Sequence, residues 1–285
     1  MLLGVILLGS LTWLLTMVKS GFVYSYGMGF WGPNGHDGVW HLALIEGLKR
    51  NSLEMPVFAG EQIKNYHIGF DLLLAWISKL TMIPASYLYF QVLPILTSIL
   101  IGYLTYLVVS RWSGSKAQAL WSVFFVYFGG GLGFAVSLFR EQTIGGESMF
   151  WSQQGISTLL NPPFALSLVF LLFGLLFLLS YSKKTTLKNG LLLVLVFSIM
   201  SQVKIYAGIL GLGALFVVGV YQLWKQKNPA ILVVSVISAT LSFALFFPLN
   251  KNSSGLIVFQ PFWFLETMMA ISDRFYWPRF YEAMI

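Results

Sequence analysis

The sequence predicts an all-α protein, a polytopic bundle of about seven transmembrane helices with juxtamembrane interfacial helices on the outer face. Two properties of the 285-residue chain predict this: 57% of its residues are hydrophobic, and only 9% are charged. The mean hydropathy is +0.78. A water-soluble domain of this length needs more polar surface than this, and a disordered chain lacks such apolar content. Both of those classes are therefore excluded.

Long apolar segments divide the chain, most of them near the ~20 residues that cross ~30 Å of hydrocarbon. The first resembles a secretory signal peptide in length, but it has no basic region before it and no clear small-residue cleavage site, so we interpret it as a retained span. The predicted spans are residues 2–18, 86–109, 117–138, 162–181, 190–203, 205–224 and 230–248.

The apolar stretch HIGFDLLLAWISKLTM at 67–82 is predicted to lie in the interface without crossing. On a helical wheel one stripe carries His67, Asp71 and Lys79, and the opposite stripe is apolar. With the N-terminus inside, the inner loops then hold seven basic residues and no acid, as the positive-inside rule requires. If 67–82 crossed the membrane, the basic cluster around Lys184 would lie outside.

We expect one transmembrane domain, 1–248, whose outer loops at 19–85 and 139–161 carry most titratable groups, and an outer segment, 249–285, that begins a continuation of the chain.

The absence of cysteine excludes disulfides and thiolate chemistry. HExxH and GxSxG motifs are also absent. Nucleic acid is not an expected partner, because the basic excess belongs to the inner loops. The run FGGGLGF at 128–134 is expected to serve close helix packing within a span.

The first outer loop, WGPNGHDGVWHLALIEGLKRN, predicts a turn followed by a helix from about Asp37. Asp37 and His41 share a helical face with Leu44 and Leu48, which points them toward protein or membrane rather than bulk water. Asp37 could instead be a helix N-cap and His41 a packed interfacial histidine. A cap needs no second polar group one turn later, so we favour a functional pair, and the two roles are compatible.

Two further outer segments carry candidate substrate-binding residues. Tyr66 and His67 precede the interfacial helix, where His67 and Asp71 are four residues apart and able to contact each other as a substrate shelf or an interfacial pair. In the second outer loop, Glu147 follows two glycines and lies close to Trp151, whose ring could stack on a sugar or a lipid chain. A solvated turn anchored by an aromatic belt explains that loop equally well.

Lys204 separates two apolar runs, 190–203 and 205–224, that would otherwise be continuous. An ionisable group at such a place needs a partner or access to the interface. Beside Tyr206 it could hold a lipid phosphate, or it could snorkel to anionic headgroups. Because the first run is only ~21 Å long at 1.5 Å per residue, we favour a break that lines a cavity.

This order of features, HDGVWHLALIEGL, YHIGFDLLLA and then YLVVSRWSGSK, resembles the GT-C superfamily of membrane glycosyltransferases, in particular its bacterial branches with a D-x-x-x-H first outer loop. The resemblance covers about the first 210 residues. It implies that Asp37 is the general base that acts on, or positions, the acceptor. It further implies that Glu147 takes the place of the second-loop acid and that Lys204 suits the donor phosphate.

The resemblance implies transfer of a sugar from a polyprenyl-phosphate donor to an acceptor on the outer face of the cytoplasmic membrane. Membrane lipids are expected partners, and the acceptor is a glycan, a lipid or a protein. Members of the superfamily often have an acidic pair in the second loop and a longer chain, so the use of a divalent cation stays open. A transporter or flippase of lipid-linked sugars and a non-catalytic scaffold are the alternatives.

Overall fold

The computed structural model describes residues 1–143 and 153–250, which are mostly helical. A short antiparallel hairpin pairs Val23–Tyr24 with Gly27–Met28. The helices, in chain order, are α1 (Leu2–Leu14), α2 (Asn34–Lys49), α3 (Gly69–Thr81), α4 (Ala85–Ser113), α5 (Lys116–Phe128), α6 (Gly133–Glu141), α7 (Gln154–Leu159), α8 (Pro162–Lys183), α9 (Leu187–Val203), α10 (Ile205–Gln226) and α11 (Ala230–Phe246).

Among the described residues, four helices are long and apolar enough to cross a membrane. They are α4, α8, α10 and α11 with the 3-10 turn that extends it to Leu249. Helices α1 and α9 are apolar but shorter. The predicted helical class is therefore confirmed, and the four long apolar helices are consistent with a membrane protein, whereas the count of seven crossings stays a prediction.

Local caps explain where several of these helices begin and end. Helix α4 stops at Gly114, whose φ of 71° is the left-handed conformation that glycine adopts most readily. The Ser115 side chain then accepts the Gln118 N–H at 3.3 Å and caps α5. At α8, Asn161 is the N-cap and two prolines occupy the first helical positions, where a missing N–H leaves no bond unmade.

The predicted span at 117–138 is not one continuous helix. Helix α5 ends at Phe128, and α6 begins at Gly133. Gly129 between them is extended, and a Cβ there would collide with the carbonyl oxygen of Phe125. Gly130 pairs with Gln153 in an isolated bridge. The glycine run therefore ends a helix instead of packing inside one, because glycine readily adopts conformations that interrupt the helix.

Tyr127 ties the first helices together. The indole nitrogen of Trp13 in α1 donates to the Tyr127 carbonyl at 3.1 Å, and the Tyr127 hydroxyl donates to the Ser98 carbonyl of α4 at 2.6 Å. Its ring fits against Gly9 and Gly102, where a larger residue would collide with it. Small residues permit this close approach of helices within a membrane.

Serine side chains join α9 to α11. The hydroxyls of Ser201 and Ser242 lie 2.6 Å apart, and Ser198 donates to the Ser238 carbonyl at 3.3 Å. Side chains of α9, α10 and α11 form a second apolar core beside them, which includes Leu193, Phe197, Met200, Leu215 and Ile231. These helices thus pack through small hydroxyls and apolar side chains together.

The polar segments gather at one end of the bundle, which we call the α2 end. There, Gln91 near the start of α4 donates to the carbonyl of Ser20, which follows α1, at 2.7 Å. Asn65 donates its backbone N–H to Leu249 beyond α11 at 3.0 Å. Asn34 of α2 donates to Thr16 after α1, and Asn161 before α8 bonds both to Asp37 of α2 and to Lys204 after α9. The beginnings of α4 and α8 and the ends of α1, α9 and α11 therefore meet at the same end as α2 and α3.

Candidate functional site

Helix α2 begins at Asn34, directly after Pro33, so that Asp37 lies within the first turn. The alternative that Asp37 is the N-cap is therefore wrong, because Pro33 takes that position. The Asn34 side-chain amide fixes this start by donating to the Thr16 carbonyl at 2.9 Å and to the Ser20 hydroxyl at 2.7 Å. Asp37 is thus presented from a helix start that is tied to the end of α1.

The Asp37 carboxyl has a partner at each oxygen. Oδ1 lies 2.8 Å from His36 Nδ1, and Oδ2 accepts the side-chain amide of Asn161 at 3.1 Å. Half of its side-chain surface is exposed, so the expectation that it points away from water holds only in part. Burial raises its pKa, but His36, the charge of His41 and the Asn161 hydrogen bond together bring it below the ordinary value.

Asn161 connects the acid to a cation. Its Oδ1 accepts the Phe164 backbone N–H at 3.1 Å, the bond that caps α8, and also the Lys204 ammonium at 3.1 Å. Both of these partners are donors, so the oxygen must face them and the NH₂ group must face Asp37. The amide therefore holds the carboxylate of Asp37 and the ammonium of Lys204 on its two ends.

Lys204 lies where α9 ends and α10 begins. Its backbone is extended, with φ −153° and ψ 115°, between Val203 and Ile205. The predicted break between two apolar helices is confirmed at this residue. Its Nζ lies 5.3 Å from the centre of the Tyr206 ring, within the range of a cation–π contact. Burial lowers the pKa of Lys204, and the carboxylates of Asp37 and Asp71 partly offset that effect.

The predicted contact between His67 and Asp71 does not form. Helix α3 begins at Gly69, so His67 precedes it and the helical spacing does not apply. Asp71 instead bonds through Oδ1 to His41 Nδ1 at 2.7 Å, from α3 to α2. The His41 side chain is 6% exposed and that of Asp71 is 0% exposed. The pair is thus buried, whereas Asp37, four residues before His41 on α2, is half exposed.

The environment of this buried pair is aromatic. The His41 ring stacks on Tyr89 at 5.4 Å and meets the edge of Phe70 at the same distance. Asp71 Oδ2 and the Tyr89 hydroxyl are buried with no hydrogen-bond partner in the described part of the chain. Burial raises the pKa of Asp71, and its bond to His41 offsets only part of that rise. The carboxyl therefore holds its proton more readily than an exposed aspartate.

Tyr66 and His67 form an aromatic wall ahead of α3. The Tyr66 ring lies 5.7 Å from Trp40 and 4.8 Å from the imidazole of His67. Burial lowers the pKa of His67 to about 4, with further lowering by the charges of Lys204 and His41. His67 is consequently a neutral imidazole near neutral pH and can accept or donate one hydrogen bond.

Helix α3 buries one face and exposes another. Asp71 and Ser78 are buried together with Phe70, Leu74 and Ala75. Leu73, Trp76 and Leu80 are exposed, at 40%, 65% and 79%. A 13-residue helix whose exposed face is apolar fits the predicted location in the interface.

The structure thus brings Asp37, His41, Tyr66, His67 and Lys204 to the α2 end. Tyr206 lies beside Lys204, where its ring contacts that of Phe164 at 6.1 Å. Glu147 and Trp151 lie outside the described residues. Within the described ranges, no group of three or more His, Asp and Glu side chains is arranged to hold a metal ion.

Sequence reasoning missed Asn161. The local pattern, an Asn followed by two prolines at the start of an apolar run, predicts a helix cap. It carries no information about Asp37, which lies 124 positions away.

In the comparisons with known proteins, no family model, no curated protein and no solved structure matches this chain.

Proposed function

We propose that this chain is a membrane glycosyltransferase that moves a sugar from a polyprenyl-phosphate donor to a hydroxyl acceptor. One observation carries the proposal: a carboxylate, an amide and an ammonium follow one another at 3.1 Å, from Asp37 through Asn161 to Lys204. Transfer from a lipid phosphate requires a base for the acceptor and a cation for the leaving phosphate, both at the depth of the headgroups.

The proposed topology has seven crossings, made by α1, α4, α5 and α8 to α11, with the N-terminus inside and the α2 end outside the cytoplasmic membrane. In this arrangement α3 lies in the interface. The charge of the loops supports it, because the inner loops are basic and free of acids. It places the site where a lipid-linked sugar would present its head.

The proposed step is a direct displacement. The acceptor oxygen bonds to the anomeric carbon, the bond from that carbon to the phosphate oxygen breaks, and the polyprenyl phosphate leaves with the electron pair. Asp37 takes the acceptor proton, while Lys204 balances charge on the phosphate. The lowered pKa of Asp37 keeps it in the carboxylate form that a base requires.

The neighbouring side chains have supporting roles in this proposal. The neutral imidazole of His67 and the rings of Tyr66 and Trp40 offer hydrogen bonds and flat apolar faces, which suit a sugar. The close approach of Asp37 and Lys204 favours an enzyme over a scaffold with dispersed polar groups. The fixed orientation of the Asn161 amide keeps the base and the phosphate-binding cation at a constant separation.

The test is Asp37→Asn in membranes that contain a labelled polyprenyl-phosphate sugar. General-base catalysis contributes roughly 10²- to 10⁴-fold, so transfer should fall by that factor. Glu46→Gln is the matched control, because Glu46 lies on the same helix and pairs with Lys49 away from the site. Transfer at the wild-type rate by Asp37→Asn protein with an unchanged chromatographic profile would remove Asp37 as the base.

A further inference from the structure

A further cavity, of about 300 Å³, lies between the ends of α2 and α3. The hydrogen bond between His41 and Asp71 joins the same two helices nearer their beginnings. Asp37, in the first turn of α2, is ~18 Å from this end of the helix at 1.5 Å per residue. The cavity is therefore distinct from the site around Asp37. Its walls are Leu48, Lys49, Asn51, Ala75, Trp76, Lys79 and Leu80.

The polar part of this wall consists of hydrogen-bond donors that carry positive charge. Lys79 is exposed on α3, and Asn51, just after α2, adds a side-chain amide. Lys49 lies on α2, where its ammonium bonds to Glu46 at 2.9 Å. The Glu46 carboxylate offsets the charge of Lys49, so the positive charge that the wall adds is that of Lys79. Such a wall attracts a phosphate and repels another cation.

The carbonyl groups at the end of α2 are already occupied. A helix C-terminus carries partial negative charge on its free carbonyls, which would weaken the binding of an anion. Here the Gly47 carbonyl accepts the backbone N–H groups of Arg50 and Ser52, both at 3.0 Å. The Leu48 carbonyl accepts the N–H of Asn51 at 3.0 Å. Because the chain satisfies these acceptors itself, the side chains of the wall decide which charge the cavity prefers.

The other side of the cavity continues into an apolar surface. Trp76 and Leu80 line the cavity and are 65% and 79% exposed. Leu73, one turn earlier on α3, is 40% exposed and extends the same face. On an interfacial helix such a face contacts acyl chains, and tryptophan lies at the level of the head groups. The cavity thus places donors for an anion directly beside a surface for a hydrocarbon chain.

We propose that this cavity binds the head group of an anionic phospholipid. The phosphate contacts Lys79 and the Asn51 amide, and an acyl chain runs along Trp76 and Leu80. The head group is anionic as a whole, because the positive wall repels the ammonium of a choline or ethanolamine group. The volume lies at the lower end of the 300–1,000 Å³ typical of ligand sites, which suits a head group whose chains stay in the bilayer.

A lipid bound here fixes the end of α3 at the depth of the head groups. Helix α3 is joined to α2, the helix that carries Asp37, through the bond between Asp71 and His41. The proposed topology places α3 in the outer interface, where phospholipids reach the cavity directly. Binding of the lipid does not depend on sugar transfer, so the two proposals succeed or fail separately.

The experiment uses the full chain in phosphatidylcholine nanodiscs that contain a trace of phosphatidylglycerol with a photoreactive diazirine near the glycerol end of one acyl chain. Adducts should map to residues 73–80, and unlabelled phosphatidylglycerol should remove them. A phosphatidylcholine probe with the same diazirine should label this segment about fivefold less, the factor expected for one lysine close to an anionic lipid.

Substitutions of Lys79 test the proposed contact with the phosphate. Lys79→Gln should reduce the phosphatidylglycerol adducts to the level of the phosphatidylcholine probe, and Lys79→Arg should restore them. Lys19→Gln is the matched control, because it removes the same charge from an exposed lysine at the α2 end that does not line the cavity. The Lys19→Gln protein should label like wild type.

Three results would overturn the lipid site. The first is equal labelling of residues 73–80 by the two probes, and the second is wild-type labelling in the Lys79→Gln protein. The third is the same preference for phosphatidylglycerol along α11, where Val233 and Val236 are exposed, because the preference would then reflect the net charge of the whole protein. Removal of the adducts by glycerol 3-phosphate would instead assign the cavity to a soluble phosphate and contradict the proposal.

Discussion

Asp37 and Lys204 bond to opposite ends of one side-chain amide, that of Asn161, each at 3.1 Å. The same amide oxygen caps α8 through the Phe164 N–H. The spacing between the acid and the cation therefore depends on the start of α8. Asn161 is a positioning residue in this arrangement, and its replacement can be designed to keep the cap.

Asn161→Asp should move the acid limb of the pH–rate profile for transfer to higher pH. The new carboxyl still caps α8, since Asp and Asn are equivalent there, but it brings a like charge next to Asp37. The pKa of Asp37 then rises, and the base is deprotonated only at higher pH. Asn161→Ser keeps a capping oxygen without a carboxyl and is the control. If the pH–rate profiles of the Asn161→Asp and Asn161→Ser variants have the same acid limb, the positioning role of Asn161 is contradicted.

Lys204→Met should raise the KM for the lipid-linked donor by a larger factor than it lowers kcat at saturating donor. The methionine keeps the apolar stem of the side chain and removes the charge that would bind phosphate. Lys204→Arg keeps the charge and should recover most of the affinity. Steady-state kinetics at varied donor concentration separate the two effects. Equal donor KM values in the Met and Arg variants would mean that Lys204 does not contact the phosphate.

The His41–Asp71 pair should couple strongly in stability. Removing one partner leaves the other buried and unpaired, so His41→Leu or Asp71→Leu should destabilise the protein by about 3–5 kcal/mol. The double variant should lose much less free energy of unfolding than the two single variants lose in sum. Thermal unfolding in detergent gives this comparison, with the exposed Glu61–Lys64 pair, worth about 1 kcal/mol or less, as reference. Additive losses would show that the two side chains do not interact.

His67 should make the protein less stable as the pH falls. Its folded pKa, about 4, lies below the ordinary histidine value of 6.5, so the unfolded chain binds the proton first. Above pH 6.5 both states are neutral and His67 contributes nothing. Between pH 6.5 and 4 the unfolded state gains the proton, and stability falls by up to about 3 kcal/mol.

The His67→Gln variant tests this pH dependence because glutamine cannot titrate. Its Tm should fall less than that of wild type between pH 6.5 and 4, and the two proteins should respond alike between pH 7 and 8. Parallel Tm curves across the acidic range would show that His67 is not buried as a neutral imidazole.

The features that depend only on residues close in sequence are predictable. The break at Lys204 and the cap ahead of Pro162 follow from apolar runs and from the few residues that interrupt or precede them. The bonds from Asp71 to His41 and from Asn161 to Asp37 join positions 30 and 124 residues apart, and only tertiary packing decides them. The glycine run at 129–131 suits both close helix packing and a helix end, so the sequence alone does not distinguish the two.

The proposed sidedness predicts that Lys64 and Lys184 face opposite sides of the membrane. The chain has no cysteine, so Lys64→Cys and Lys184→Cys each introduce a single thiol. Both lysines are exposed, which makes the two substitutions a matched pair. In intact cells a membrane-impermeant maleimide should label position 64 at once and position 184 only after permeabilisation. The basic cluster that holds Lys184 favours the inner side. If both thiols react from the same side, α3 crosses the membrane, and the α2 end and the basic loops share one compartment.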